Sequence, residues 1–91
     1  MTLKPATPLS KETLTDDIER KILDAYNHIH RLGVIHGDIR PPNVLISPPE
    51  GSVWIIDFED AIFDGEEGEV EFERKAVEDM LRKVKNGEEV H

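Results

Sequence analysis

Two short apolar runs, Val44-Leu45-Ile46 and Val53-Trp54-Ile55-Ile56, are separated only by Ser47-Pro48-Pro49-Glu50-Gly51-Ser52. Runs of this length, rich in β-branched and aromatic side chains, suit pleated strands. A proline- and glycine-rich link so short has room for a turn and little else. The two runs therefore predict an antiparallel hairpin over residues 44–57. The hairpin has a geometric consequence: Asn43, which enters the first strand, is brought beside Asp57, which leaves the second. A ribbon this small is not stable alone and needs a helix across one face.

A covering helix is written just upstream. Leu14, Ile18, Ile22, Ala25, Tyr26, Ile29 and Leu32 recur at spacings of three and four, which makes one apolar stripe. Ser10 is a candidate N-cap, with Leu9 and Leu14 placed as a hydrophobic staple around it. Asp16, Asp17 and Glu19 early, and His28, His30 and Arg31 late, suit the helix dipole. Gly33 fits a left-handed stop. The predicted helix covers 10–33, after an irregular lead-in over 1–9.

A second helix is predicted over 71–86 from Phe72, Ala76, Val77, Met80, Leu81 and Val84, stopped by Gly87 and followed by a frayed tail. Residues 34–43 read as a polar loop after a brief extended step at Val34-Ile35, with Pro41 and Pro42 opposing helix there. Residues 58–70 read as an acidic loop. The order of helix, loop, hairpin, loop and helix is that of a small α+β domain, and 91 residues allow one domain with a thin core.

Charge excludes some partners. The net charge is −9, which repels nucleic acid and anionic membranes. Nine acids and no base lie between Asp57 and Glu73, a run that reads as a solvated segment in preference to an acidic binding surface. Without cysteine there is no disulfide, zinc-thiolate site or thiol catalysis. The N-terminus has no signal-like apolar run and no stretch has bilayer-spanning length, so a cytoplasmic, soluble protein is expected. His28 and His30 point to different helix faces, which argues against zinc shared with His36. A calcium loop starting at Asp57 would need glycine and glutamate where Ile62 and Gly68 stand.

The polar residues at the hairpin's open end carry chemistry. Asp38 lies in the proline-stiffened loop, five residues before Asn43. Two carboxylates and an amide make an oxygen-only set suited to magnesium, which bridges nucleotide phosphates. Asp38 would accept or orient the proton of an attacking hydroxyl, and Arg40 would place positive charge on the transferring phosphoryl group. So acidic a neighbourhood needs the metal to screen an anionic nucleotide.

His36-Gly37-Asp38 with Asn43, followed by Asp57-Phe58-Glu59, resembles the catalytic loop and metal-binding motif of the protein-kinase-like superfamily. The fuller phrases Val34 to Asp38 and Ile56 to Ala61 are similar to short fungal-type kinase-like proteins, and Gly37 is closer to aminoglycoside and choline phosphotransferases. The resemblance implies part of a kinase-like C-terminal lobe and an ATP- and Mg2+-dependent transfer to a protein or small-molecule hydroxyl. It implies that Asp38 and Arg40 are catalytic and that Asn43 and Asp57 are metal ligands. His36 and Phe58 would hold the loop. It also implies a buried final helix whose Asp79 would bond the loop backbone, although a solvent-facing Asp79 is the simpler reading.

The chain departs from the family pattern at several points. It has no Gly-rich loop, no lysine-bearing strand and no Ala-Pro-Glu motif; Glu59 replaces a glycine and Gly37 an arginine. These departures imply a truncated lobe, weak or inactive alone. The alternative is a catalytically dead remnant that binds a protein. Trp54, Phe58, Phe63 and Phe72 either build the small core or form the apolar surface such a partner would cover.

Overall fold

The computed structural model describes residues 6–47 and 51–88. The expected hairpin tip at 48–50 and most of the expected frayed tail, 89–91, lie outside the described residues, as do residues 1–5. The elements are β1 (Thr7–Pro8), α1 (Asp16–Arg31), a 3-10 turn (Pro41–Asn43), β2 (Val44–Ser47), β3 (Ser52–Ile55) and α2 (Glu67–Lys85). This is a small α+β arrangement of two helices and a three-stranded antiparallel sheet in the order β1-β2-β3. Among the described residues no helix is long and apolar enough to cross a membrane.

The hairpin pairs Val44 with Ile55, Leu45 with Trp54 and Ile46 with Val53. Side chains alternate across a strand, so Val44 and Ile46 share one face and are buried, while Leu45 and Trp54 share the other. The lead-in is not wholly irregular as expected. Thr7 and Pro8 pair with Ile46 and Leu45, and the Leu9 N–H donates to the Val44 carbonyl at 2.8 Å. The pairing covers an edge of β2 that would otherwise be open, and an edge strand tolerates Pro8.

Helix α1 starts at Asp16, later than the sequence suggests. Ser10 caps no helix: its N–H donates to the Thr13 hydroxyl at 2.9 Å, and its carbonyl accepts from the Thr13 and Leu14 N–H groups, which closes a separate turn. Thr15 is the cap, extended at φ −94° and ψ 170°, and its side chain accepts from the Ile18 N–H. The helix ends at Arg31, with Gly33 left-handed at φ 79°. Helix α2 starts earlier than expected, at Glu67, because Glu66 and Glu69 form a reciprocal capping box inside the supposed acidic loop. Pro41 and Pro42 do not forbid a helical turn; they occupy its first positions, where no N–H is needed.

The core lies where α1 and α2 meet the inner face of the sheet. Ile18, Ile22 and Tyr26 come from α1, Val77, Met80, Leu81 and Val84 from α2, and Leu9, Val44 and Ile46 from the sheet side. Trp54, Phe58, Phe63 and Phe72 do not build this core; all four are exposed. For Trp54 the cause is register, which turns it to the outer face with Leu45.

Ile22 is fully buried, so Ile22→Ala should lower unfolding free energy by about 2–5 kcal/mol in urea denaturation. Phe63→Ala, at a largely exposed position, should stay within about 0.5 kcal/mol of wild type in the same measurement.

Candidate functional site

The loop from Val34 to Arg40 carries few apolar anchors, so its shape depends on polar groups. Chief among them is Glu73, which is 3% exposed inside α2. Its Oε1 accepts from the His36 N–H at 2.9 Å and meets His30 Nε2 at 2.7 Å, and its Oε2 accepts from the Gly37 N–H at 2.8 Å. A buried carboxylate is tolerated only with such donors. With both oxygens accepting, His30 is the donor through Nε2, and its Nδ1 is buried without a partner. One side chain thus joins the end of α1, the loop and α2.

His36 is fully buried and locks the next step of the loop. Its Nε2 lies 2.7 Å from the Ile56 carbonyl, and its Nδ1 accepts from the Asp38 N–H at 3.1 Å. The two bonds together require the neutral Nε2–H tautomer. The ring also meets Phe58 edge-on at 4.8 Å and Tyr26 at 6.3 Å. Burial pushes the Tyr26 hydroxyl far above its ordinary value, and the charges of Glu73 and Asp38 add to the effect.

Glycine is required at position 37. Gly37 has φ 89°, and a Cβ there would lie 2.6 Å from the Asp60 carbonyl oxygen. The segment after Asp57 is held against the loop by the Ile35–Ile62 bridge, with reciprocal N–H to carbonyl bonds of 2.8 Å.

Asp38 follows, and Arg40 grips its carboxylate with both arms of the guanidinium, Nε on Oδ1 at 2.7 Å and Nη2 on Oδ2 at 2.9 Å. That grip, aided by the Asn43 amide, holds the Asp38 carboxyl below the usual carboxylate range despite some desolvation. Asp57 and Asp60 also act on Arg40, so its charge sits among three carboxylates. Asn43 is buried at the end of the 3-10 turn, and its Nδ2 donates to the Asp38 carbonyl at 2.9 Å. Its own carbonyl accepts from the Ile56 N–H at 2.9 Å, which extends the ladder one rung beyond Val44–Ile55. Asp57 comes next and turns the chain at φ 63°, a left-handed conformation that aspartate tolerates better than most residues.

Asp38, Arg40 and Asn43 are therefore joined by direct hydrogen bonds, with Asp57 at the adjoining end of the hairpin. Among the described residues no group of three or more histidine, cysteine, aspartate or glutamate side chains is arranged to hold a metal. The donors that remain are Oδ1 of Asn43, whose Nδ2 is committed, and the exposed carboxylate of Asp57. Two oxygens suit an ion that takes its other ligands from water and phosphate, as magnesium does.

Asp79 is exposed and paired with Arg82 and, at 3.1 Å, Lys83, so the simpler of its two readings is the observed one. The loop backbone is held by Glu73 instead. The signal for Glu73 was present in the sequence: it lies four residues before Val77, in register with the buried stripe of α2. His30 likewise continues the buried series Ile18, Ile22, Tyr26 at a spacing of four. Two polar residues, each on an apolar stripe, mark a buried polar contact.

The family model for the protein kinase domain matches residues 2–76. The chain belongs to that family. A probable serine/threonine-protein kinase of Archaeoglobus fulgidus, a BUD32 homolog, is 35% identical over 54 residues, 59% of this chain and 27% of that protein. A non-specific serine/threonine protein kinase of Drosophila melanogaster is 32% identical over 78 residues, 81% of this chain and 12% of that protein. Mitogen-activated protein kinase kinase 10 of Arabidopsis thaliana is 34% identical over 53 residues, 58% of this chain and 17% of that protein. This kinase-family chain therefore spans a minor part of the length of each of these curated relatives.

Glu73→Ala would strand the buried donors of His30, His36 and Gly37, and should cost about 3–5 kcal/mol in chemical denaturation while speeding amide exchange at His36 and Gly37. The Asp38 carboxyl, followed by carbon-detected NMR, should titrate below the ordinary aspartate midpoint, and Arg40→Met should raise that midpoint. The Asp38–Arg40 fork contributes fully above the unfolded-state pKa and is lost as pH falls through the folded one.

Proposed function

We propose that this chain carries the catalytic-loop and metal-binding part of a kinase-type C-terminal lobe, serving transfer of the terminal phosphoryl group of ATP to a hydroxyl. Family membership supports phosphotransfer as the chemistry. The observation that carries the reading is the bonded set Asp38, Arg40 and Asn43, closed against Asp57 by the hairpin register.

On this reading α1 is the long helix supporting the catalytic loop, and Asp38 meets the acceptor. Each carboxylate oxygen has two lone pairs, and the Arg40 fork occupies one on each. Asp38 can therefore accept a hydroxyl hydrogen without releasing Arg40. Its depressed pKa makes it a weak base but keeps it ionised, which suits a group that orients the hydroxyl and takes its proton late in a loose phosphoryl-transfer step. As the acceptor oxygen bonds to phosphorus, the bond to the bridging oxygen of the departing ADP breaks, and the hydroxyl proton passes to Asp38. Arg40 tempers the negative charge that would otherwise repel the incoming phosphates. Asn43 Oδ1 and the Asp57 carboxylate would hold magnesium, which when bound neutralises nucleotide phosphate oxygens.

His36 and Phe58 position the loop and touch no reactant. The serine/threonine-protein kinase names of the relatives favour a protein acceptor over a small molecule. The sequence carries no Gly-rich loop motif and no Val-Ala-Ile-Lys-like segment, so transfer by these 91 residues alone is expected to be slow, because rate in this chemistry comes from positioning.

Calorimetry with magnesium-ATP tests the reading. Asp57→Ala and Asn43→Ala should each weaken binding at least about tenfold. Asp38→Ala should leave binding within about twofold and remove whatever transfer is measured, because its role is with the acceptor. Equal affinity in wild type and all three variants would reject the site.

A further inference from the structure

A polar pocket of about 320 Å3 opens where the last turns of α1 meet the first turns of α2. Asn27, His30 and Arg31 line it from α1, at the three- and four-residue spacings of one helix face. Val70, Glu71 and Arg74 line it from α2. It shares no residue with the loop that carries Asp38.

The inner wall holds an unmet acceptor. The His30 side chain is only 5% exposed, and its Nε2 is committed to Glu73 Oε1 at 2.7 Å. Its Nδ1 is buried and has no hydrogen-bond partner among the described residues. An imidazolium would bury a second N–H with no acceptor, so the ring keeps its one hydrogen on Nε2 and carries a lone pair at Nδ1. A buried lone pair without a donor costs free energy, which a donor entering the pocket recovers.

The rim holds positive charge. Arg31 is exposed and makes no ion pair with a described residue, whereas Arg20, Arg40, Arg74 and Arg82 each have a carboxylate partner. Arg74 gives one N–H to Glu71 at 2.5 Å, which offsets that carboxylate and leaves its other N–H groups to spare. Two guanidinium groups on facing helices repel a metal ion or an amine and suit a small oxyanion. The acceptor at His30 narrows the choice, because the anion must also bring a hydrogen. Inorganic phosphate has charged oxygens for the arginines and keeps an O–H. Sulfate has no such hydrogen, and a phosphate monoester loses it above a pKa of about 6.

We propose that this pocket binds inorganic phosphate. The phosphate O–H donates to His30 Nδ1, its charged oxygens accept from Arg31 and Arg74, and Asn27 supplies a further amide donor from the same wall. A donor at Nδ1 also polarises the ring and strengthens the Nε2–H bond to Glu73, the carboxylate that holds the His36 and Gly37 N–H groups. Bound phosphate therefore steadies the loop through one imidazole. Phosphate binding here is independent of the phosphotransferase reading.

Calorimetry on the whole chain at mildly alkaline pH and constant ionic strength is the test. Inorganic phosphate should bind, and sulfate and a phosphoserine peptide should each bind at least about tenfold more weakly for want of the hydrogen. Arg31→Gln and Arg74→Gln, both at exposed positions, should each weaken phosphate binding at least about fivefold, with folding verified by far-UV circular dichroism. In nitrogen-15 NMR the His30 Nδ1 resonance should move as phosphate is added while that of His28 stays in place. Amide exchange at His36 and Gly37 should slow with phosphate and not with sulfate. Sulfate or the phosphopeptide binding as tightly as phosphate overturns the proposal. So does phosphate affinity unchanged in both variants, or a His30 Nδ1 resonance that phosphate does not move.

Discussion

The site depends on a buried carboxylate. Glu73 accepts from two consecutive backbone N–H groups and from a histidine, and the three donors belong to α1 and to the loop between α1 and the hairpin. A thin core, ten buried residues among those described, cannot fix a polar loop by packing, because the loop offers little apolar surface to grip. Directional bonds in a low-dielectric setting do it instead. From Glu73 the order passes along the chain: His36 and Gly37 are fixed, His36 then orients the Asp38 N–H and the Ile56 carbonyl, and Asp38 comes to rest between Arg40 and Asn43.

The hairpin supplies the second half of the geometry by register alone. Pairing Val44 with Ile55 sets Asn43 opposite Ile56 and leaves Asp57 at the strand's exit. A slip of one residue would turn Val44 and Ile46 out of the core and also misplace the polar ends. Burial of two aliphatic side chains therefore sets the alignment of two oxygen donors. Packing and chemistry are coupled here without any residue serving both.

Much of this was legible because periodicity and motif spacing are local properties. The stripe from Leu14 to Leu32, the two β-branched runs, and the intervals from Asp38 to Asn43 and Asp57 needed no tertiary information. What escaped was decided by competition between local alternatives. Ser10 and Thr15 are both good caps, and the side chain of Thr13 draws Ser10 into a turn of its own. Glu66 and Glu69 look like two more charges in an acidic run until they are seen to cap one another. Trp54 suits a strand on either face, and only the pairing of Val44 and Ile46 with the helices sends it outward. Glu73 was hidden by the sound general expectation that glutamate faces water, and only its register with Val77 argued otherwise.

The segment after Asp57 returns along the loop that carries Asp38 and is fastened to it at several points. Ile35 and Ile62 exchange backbone bonds, Gly65 donates to the Gly33 carbonyl at 2.8 Å, and Gly37 leaves no space for a side chain beside Asp60. In kinases generally, the activation loop switches by passing between disordered and ordered states. Here only residues 58–66 lie between Asp57 and α2, and they are fastened at Ile62 and at Gly65, just before the helix. Ties at both Ile62 and Gly65 leave little of this backbone free to change course, so the loop beside Asp38 and the start of α2 keep their placement together.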